Sequence, residues 1–226
     1  MFILFKDRVG FKKTKKAEKF FLDFLEGHIS TKYFWEEYKK NIIYQKVLQH
    51  DRKRWKKTYM LGKVKMKYFG KGPYDKSFKY NPDTLLTVCD INRLYDVYCL
   101  YTVVSKYFIN RKIKFNCGNE DVKQYLFLQK FVPSYIEIYD GEYLKEIYDS
   151  TEKKLSQKER LNQAKEKLKE IYSYKKCPPR WIQSAEWPID DDGPLVFSHQ
   201  KKEIGRCLYY FYNKKTNKQI IIEQYE

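Results

Sequence analysis

Apolar residues recur at helical spacing in the first third of the chain, between stretches of lysine and glutamate. Phe20, Phe21 and Phe24 lie on one face of a predicted helix over residues 16–27, and Gly27 is a typical helix terminator. We therefore expect an amphipathic helix whose aromatic face packs into a core.

A second helix is predicted directly after the first. Ser30 or Thr31 provides its N-terminal cap, and its apolar face carries Phe34, Trp35, Tyr38 and Ile42. The same periodicity predicts that helical structure continues to Trp55. Residues 58–80 contain three glycines and a proline, which favours irregular structure with a short strand at residues 63–69.

The middle of the chain carries the most apolar helical pattern. Residues 81–83 (Asn-Pro-Asp) predict a helix start, and Asp90 predicts a second cap. Residues 91–110 are apolar around most of the helical cylinder, so this helix should be central and the most buried. Asn119 then predicts the cap of a helix over residues 120–131.

Two more helices are predicted before the pattern changes. One is short and covers residues 142–148. The other is capped by Ser156 and has one narrow apolar stripe, which predicts a surface helix that buries one side. The stripe consists of Leu161, Ala164, Leu168 and Ile171.

Strand-like segments follow residues 178–179, a pair of prolines. Residues 195–200, 207–212 and 219–225 predict three strands, and a five-residue loop over residues 213–217 predicts that the last two form a hairpin. The sequence thus predicts an antiparallel sheet at the end of a chain that is otherwise helical.

The predicted fold class is α+β, a mainly helical body of about six helices with a small C-terminal antiparallel β-sheet. We expect a basic helical body over residues 1–176 and a β segment over residues 177–226 that packs on it. No internal repeat or low-complexity linker separates them, so the two parts should form one continuous domain.

The positive charge is concentrated at one end of the 226-residue chain. The formal net charge is +17, and residues 1–80 alone hold 22 Lys and Arg against 8 Asp and Glu. This asymmetry predicts that the N-terminal region meets an acidic protein or a polyanion.

The densest basic cluster lies at the end of the second predicted helical stretch and contains Trp55. Guanidinium groups and an aromatic ring are the groups that hold phosphates and stack bases, so nucleic acid is one candidate partner. The alternatives are an acidic protein partner or an ordinary solvated face. The predicted partner-binding residues are Arg52, Lys53, Arg54, Lys56 and Lys57.

Acidic and histidine side chains are grouped at one place, where Glu186 and His199 flank the three aspartates of residues 190–192. Three carboxylates can bind a divalent ion, but adjacent carboxylates on a turn more often repel each other in water, so no metal site is predicted. Asp140, Glu142 and Lys145 lack the order and spacing of a metal-dependent nuclease. We predict no catalytic residues, no cofactor and no enzymatic activity.

The cysteines and the N-terminus indicate a cytoplasmic protein. The five cysteines form no CxxC pattern, which favours free thiols in a reducing compartment. The apolar start of the chain is too short for a signal peptide, and no run has the length of a membrane helix. We therefore expect no membrane association.

An unusual segment rich in tryptophan and proline precedes the predicted sheet. It reads Pro-Arg-Trp-Ile-Gln at residues 179–183, Glu-Trp-Pro at 186–188, Gly-Pro-Leu-Val-Phe at 193–197, and Gln200. This string resembles the C-terminal segment of YwqG-like proteins and of bacterial proteins encoded at toxin–immunity loci. A looser similarity to a family with a helical body lies around residues 23–30 and 90–96.

The resemblance implies a non-enzymatic cytosolic immunity protein that binds and neutralises a bacterial toxin by protein–protein interaction. The alternative is a basic nucleic-acid-binding protein. For the motif itself we expect a mainly structural role, in which the tryptophans form a rigid corner and Gln183 and Gln200 bond backbone groups. The motif residues are Arg180, Trp181, Gln183, Glu186, Trp187 and Gln200.

Overall fold

A computed structural model describes residues 11–54, 86–87, 89–138, 142–152 and 154–226. It confirms the α+β class, with seven helices in the described part of the chain and a C-terminal antiparallel sheet. The helices are α1 (Phe11–Leu25), α2 (Thr31–Lys40), α3 (Ile42–Arg54), α4 (Leu94–Ile109), α5 (Glu120–Leu128), α6 (Glu142–Ser150) and α7 (Gln157–Ile171). The strands are β1 (Ile189–Asp190), β2 (Gly193–Pro194), β3 (Val196–Glu203), β4 (Arg206–Tyr212) and β5 (Gln219–Tyr225).

The chain divides into two compact units, of which the first ends at Leu126 and the second is Phe127–Glu226. The boundary predicted between residues 176 and 177 lies inside the second unit, because α6 and α7 belong to the same unit as the sheet. The predicted strand at residues 63–69 and the predicted helix start at residues 81–83 lie outside the described residues.

Aromatic rings from α1, α2 and α3 form much of the core of the first unit. Phe24 stacks on Phe34 with ring centroids 4.0 Å apart, and Phe20 stacks on Tyr44 at 4.4 Å. Thirteen of the sixteen residues of α4 are buried, which confirms the prediction that this helix is the central one.

The predicted caps explain three of the seven helix starts in the described part of the chain, and two other predictions need correction. Ser30 accepts a hydrogen bond from Tyr33 N and caps α2 as predicted. The helix predicted to run on to Trp55, which lies outside the described residues, is not continuous. It breaks at Asn41, whose side chain accepts from Ile43 N and starts α3. Asp90 does not cap α4, because its side chain accepts from Asn92 N and closes a turn three residues before the helix begins.

The end of α1 meets the loop before α5 at very close range. The Gly118 amide donates to Leu25 O at 3.0 Å, and the Tyr101 hydroxyl donates to the same carbonyl at 3.2 Å. A Cβ atom on Gly118 would lie 1.7 Å from Glu26 O. The two hydrogen bonds satisfy one of the carbonyls that the end of a helix otherwise leaves without partners. Asn119 caps α5 through Val122 N as predicted, although α5 ends three residues before the predicted position.

The second unit holds two helices and two antiparallel sheets. Ser156 and Glu159 form a capping box at the start of α7, which confirms the predicted cap. Strands β3, β4 and β5 lie in that order in one sheet, and β1 pairs with β2 in a short hairpin that the sequence pattern did not indicate. Within the described residues, no helix combines the length and the apolar character needed to cross a membrane.

Candidate interaction surface

Trp181 fixes the proline-rich segment to the inner face of the β3–β4–β5 sheet. Its indole N–H donates to Tyr135 O at 3.0 Å, and its ring packs on Tyr209 and Phe211 with centroid distances of 4.3 and 5.9 Å. The indole therefore buries its apolar surface and satisfies its one donor at the same time.

Trp187 secures the other end of the segment. Its N–H donates to Leu195 O at 2.8 Å, and its ring meets Tyr172 and Phe211 edge to face at 5.5 and 5.4 Å. Glu186, beside it, is exposed. The two tryptophans thus form a corner between the end of α7 and the sheet.

The glutamines of the motif bond backbone groups, as the sequence predicts. Gln200 Oε1 accepts from Arg180 N at 2.8 Å, and Gln183 Nε2 donates to Tyr225 O at 2.8 Å. Tyr209, whose pKa burial raises to about 12, donates its hydroxyl to Arg180 O at 2.9 Å. These side chains are occupied in holding the corner together.

Gln224 completes the corner, a role that no sequence pattern indicated. It is 1% exposed, its Oε1 accepts from Ile182 N and Gln183 N at 3.2 and 3.1 Å, and its Nε2 donates to Ser184 O at 2.8 Å. A glutamine between the exposed residues Glu223 and Tyr225 looks like any surface residue until the strand register places it on the inner face.

The acidic turn at residues 190–192 is held by hydrogen bonds from the loop between β4 and β5. Asn213 Nδ2 donates to Asp190 and Asp192 at 2.8 and 2.9 Å, and Lys215 Nζ lies 2.7 Å from Asp192 Oδ1. These donors hold the pKa of the Asp192 carboxyl below its usual range. Among the described residues, no group of His, Cys, Asp and Glu side chains is arranged to hold a metal ion.

The outer face of the sheet carries apolar and aromatic side chains. His199 stacks on Tyr210 with centroids 4.4 Å apart and 5° between the rings, and Lys175 Nζ lies 4.7 Å from the centre of the Tyr212 ring. All are exposed or half-buried. We define the outer face by three rows of paired residues, which are His199–Tyr210–Ile221, Lys201–Leu208–Glu223 and Glu203–Arg206–Tyr225.

Charges on the outer face are balanced by one another. The Arg206 guanidinium lies 2.7 Å from Glu203 and 2.6 Å from Glu223, and Lys201 lies 2.9 Å from Glu203. The ion pairs with Glu223 and Glu203 raise the pKa of Arg206. The ion pairs with Lys201 and Arg206 lower the pKa of the Glu203 carboxyl. Residues 189–226 as a whole hold six Lys and Arg against six Asp and Glu, so this segment is neutral in a chain of charge +17.

The tip of the β3–β4 hairpin is an exposed isoleucine. Ile204 and Gly205 form the two-residue turn, Gly205 has a φ of +73°, and the Ile204 side chain is fully exposed. A large apolar side chain at such a tip gains nothing within this chain, which makes the tip a candidate anchor for a partner.

The predicted basic cluster on α3 is only partly on the surface. Lys53 is exposed, but Arg52 is 5% exposed, so it is not the surface residue that the sequence led us to expect. Its neighbour Asp51 is fully buried and lies 2.5 Å from the Arg111 guanidinium, because this side of the helix packs against α4. Arg54 is the last residue of α3, and Lys56 and Lys57 lie outside the described residues.

Two of the three residues of the nuclease-like pattern, Glu142 and Lys145, lie on α6. Lys145 pairs with Asp149 one helical turn along α6, and Glu142 begins that helix. Asp140 lies outside the described residues.

Comparison with protein families, with curated proteins and with solved structures found no match for this chain.

Proposed function

We propose that this protein is a non-enzymatic, cytoplasmic immunity protein that binds and neutralises a bacterial toxin by protein–protein interaction. We place the contact on the outer face of the sheet, with Ile204 at its edge. The observation that carries the proposal is the combination on this face of aromatic and apolar side chains with charges that already pair within the face.

The composition of the outer face favours a protein partner over a polyanion. Protein interfaces are enriched in tyrosine and arginine around an apolar centre, with a polar rim. Tyr210, Leu208 and Ile221 supply such a centre, and Arg206 stands beside it. A face that binds phosphates needs an excess of unneutralised Lys and Arg, whereas each basic side chain in the three rows pairs with a carboxylate.

The excess positive charge then has a different role from the residues of the outer face, which contact the partner. It is concentrated in residues 1–80, so it attracts an acidic partner over a distance and raises the association rate without selecting the residues of the interface. The partner we propose is an acidic toxin domain. The toxin assignment itself rests on the resemblance of the proline- and tryptophan-rich segment to proteins of toxin–immunity loci.

Affinity capture from the organism that encodes the chain tests the proposal. We expect one acidic protein to bind the wild-type chain at stoichiometric level after nuclease treatment, and to be lost from a variant with Ile204→Ser and Tyr210→Ser. Lys214→Ser, an exposed change in the β4–β5 loop, is the matched control and should keep the partner.

Nuclease sensitivity distinguishes the alternative function. If the captured proteins disappear with nuclease, and if short RNA or DNA binds with an affinity that falls steeply with salt, the protein is a nucleic-acid-binding protein and the proposal is wrong. Capture that survives nuclease but is unchanged in the double variant would place the contact away from the outer face.

A further inference from the structure

Strand β5 forms one edge of the three-stranded sheet. The strand order is β3–β4–β5, and no strand of the described residues pairs with the outer side of β5. Its sequence, Gln-Ile-Ile-Ile-Glu-Gln-Tyr, contains no proline or lysine. Natural proteins usually protect an edge with such residues, because an unprotected edge offers backbone donors and acceptors to another strand.

The hydrogen-bond pattern shows which backbone groups are offered. Glu226 N donates to Gly205 O and Asn213 N donates to Lys218 O, each at 3.0 Å, at the two ends of an unbroken β4–β5 register. In an antiparallel pair, hydrogen-bonded positions alternate. The backbone groups of residues 220, 222 and 224 therefore face β4, and those of residues 219, 221, 223 and 225 face outward.

One end of this edge is already covered. Gln183 Nε2 donates to Tyr225 O at 2.8 Å, so the corner segment occupies the last outward-facing carbonyl of the strand. Gln219, Ile221 and Glu223 remain as an open edge of three alternate residues. The centre of that edge is Ile221, whose side chain is 51% exposed.

We propose that two copies of this chain pair through β5, antiparallel and with Ile221 opposite Ile221 of the second copy. In this register Gln219 lies opposite Glu223 of the other copy, so an amide donor meets a carboxylate and no two like charges face each other. Gln219, Ile221 and Glu223 all fall in hydrogen-bonded positions at once. A shift by one residue would put outward-facing groups against groups already bonded to β4, and a shift by two would leave one of the three residues without an open partner, so this register makes the most hydrogen bonds.

The local charge at this edge does not oppose a second copy. The chain as a whole carries +17, which opposes self-association, but residues 189–226 are neutral. Pairing would join the two sheets into one of six strands and place two outer faces side by side. The inference goes beyond the proposed function, because it predicts self-association of the chain whether or not a toxin is the partner.

Sedimentation of the full chain over a range of concentrations tests the pairing. Because the interface is small, we expect a mass of 27.7 kDa at low concentration and twice that value at about 100 µM or above. Ile221→Pro removes an N–H that points outward and not towards β4, and a proline is tolerated at such an edge position. It should weaken dimer formation by roughly tenfold or more, since the symmetric pair loses two hydrogen bonds.

Ile221→Val is the matched control, because it keeps the N–H and the branched apolar side chain, and its dimer should match that of the wild type. Far-UV circular dichroism reports whether Ile221→Pro keeps its fold. Amide exchange of the wild-type chain gives an independent measurement. The amides of Gln219, Ile221 and Glu223 should gain protection as concentration rises, while those of Ile220 and Ile222 are protected throughout.

Two results would overturn the pairing. One is a monomer at every concentration, with amide exchange at Ile221 independent of concentration. The other is a dimer that Ile221→Pro leaves unchanged. Neither result bears on capture of an acidic partner by the outer face, so the two proposals fail separately.

Discussion

At the scale of single residues, Gln224 shows how one buried side chain can hold a corner that lacks regular secondary structure. Its amide group meets three backbone groups of residues 182–184, and the side chain is almost completely buried. The sequence predicted the neighbouring roles of Gln183 and Gln200 because they lie in a conspicuous motif. It did not predict that of Gln224, because only the register of β5 turns this residue inward.

Replacing Gln224 with alanine should destabilise the second unit by about 1–3 kcal/mol, because buried backbone groups lose their partners. Gln219→Ala, on the exposed side of the same strand, should change the free energy of unfolding by less than about 0.5 kcal/mol. Urea unfolding of dilute protein, followed by tryptophan fluorescence, measures both. Equal stability of the two variants would show that Gln224 does not hold the corner.

The buried Lys106 side chain makes the stability of the first unit depend on pH. Burial in α4 lowers the pKa of this lysine from its usual 10.5 to about 8. Between pH 8 and 10.5 the unfolded chain therefore binds more protons at this residue than the folded chain does, so its effect on stability becomes more favourable as pH rises.

The measurement compares wild type with Lys106→Met between pH 7.5 and 9.5. The free energy of unfolding of the wild type should increase relative to that of the variant as pH rises through this range. The comparison is needed because the pKa of the buried Cys89 thiol is raised to about 12, and a raised thiol pKa lowers stability over part of the same range. A constant difference between the two proteins would refute a lowered lysine pKa.

At the scale of elements, local signals in the sequence predicted what local physics controls. The caps at Ser30, Asn119 and Ser156 and the strand pattern over residues 207–212 and 219–225 all appear in the structure. Such features depend on residues a few positions apart, which a sequence displays directly.

The sequence did not correctly predict features that depend on contacts between residues far apart in the chain. The break at Asn41 interrupts a continuous apolar pattern, and the acidic residues 190–192 form a hairpin turn because Asn213 donates to them from another loop. The outer face of the sheet was also not predicted, because β4 is aromatic on both of its faces and only pairing shows which side is outward.

The close contact between the end of α1 and the loop before α5 leads to a prediction at this scale. Gly118→Ala should destabilise the protein by roughly 3 kcal/mol or more, because its Cβ atom would lie 1.7 Å from Glu26 O, a backbone atom that cannot move independently. Gly205→Ala is the contrasting variant. Its added Cβ atom meets nothing within 4 Å, so only the positive φ opposes it, at about 1–2 kcal/mol.

Urea unfolding followed by circular dichroism measures both glycine variants. Similar losses of stability in the two variants would mean that backbone conformation, and not the close approach of α1 to the loop before α5, causes the destabilisation by Gly118→Ala. Because the contact joins residues far apart in the sequence, neither glycine pattern nor helix periodicity predicted it.

At the scale of the whole molecule, the excess positive charge and the proposed contact surface lie in different parts of the chain. Its positive charge is concentrated in residues 1–80, whereas residues 189–226 are neutral and carry the outer face of the sheet. Composition alone predicted a basic partner-binding cluster at residues 52–57, but the structure buries Arg52. Under the proposed function, the positive charge attracts the partner and the outer face of the sheet recognises it.

Growth of cells that express the captured acidic protein is the most direct test of neutralisation through the outer face of the sheet. We expect that protein alone to arrest growth, the wild-type chain to restore it, and the Ile204→Ser and Tyr210→Ser double variant to fail although it is produced and folded. Lys214→Ser should restore growth like the wild type. Normal growth with the captured protein alone, or equal rescue by the double variant, would contradict neutralisation through the outer face.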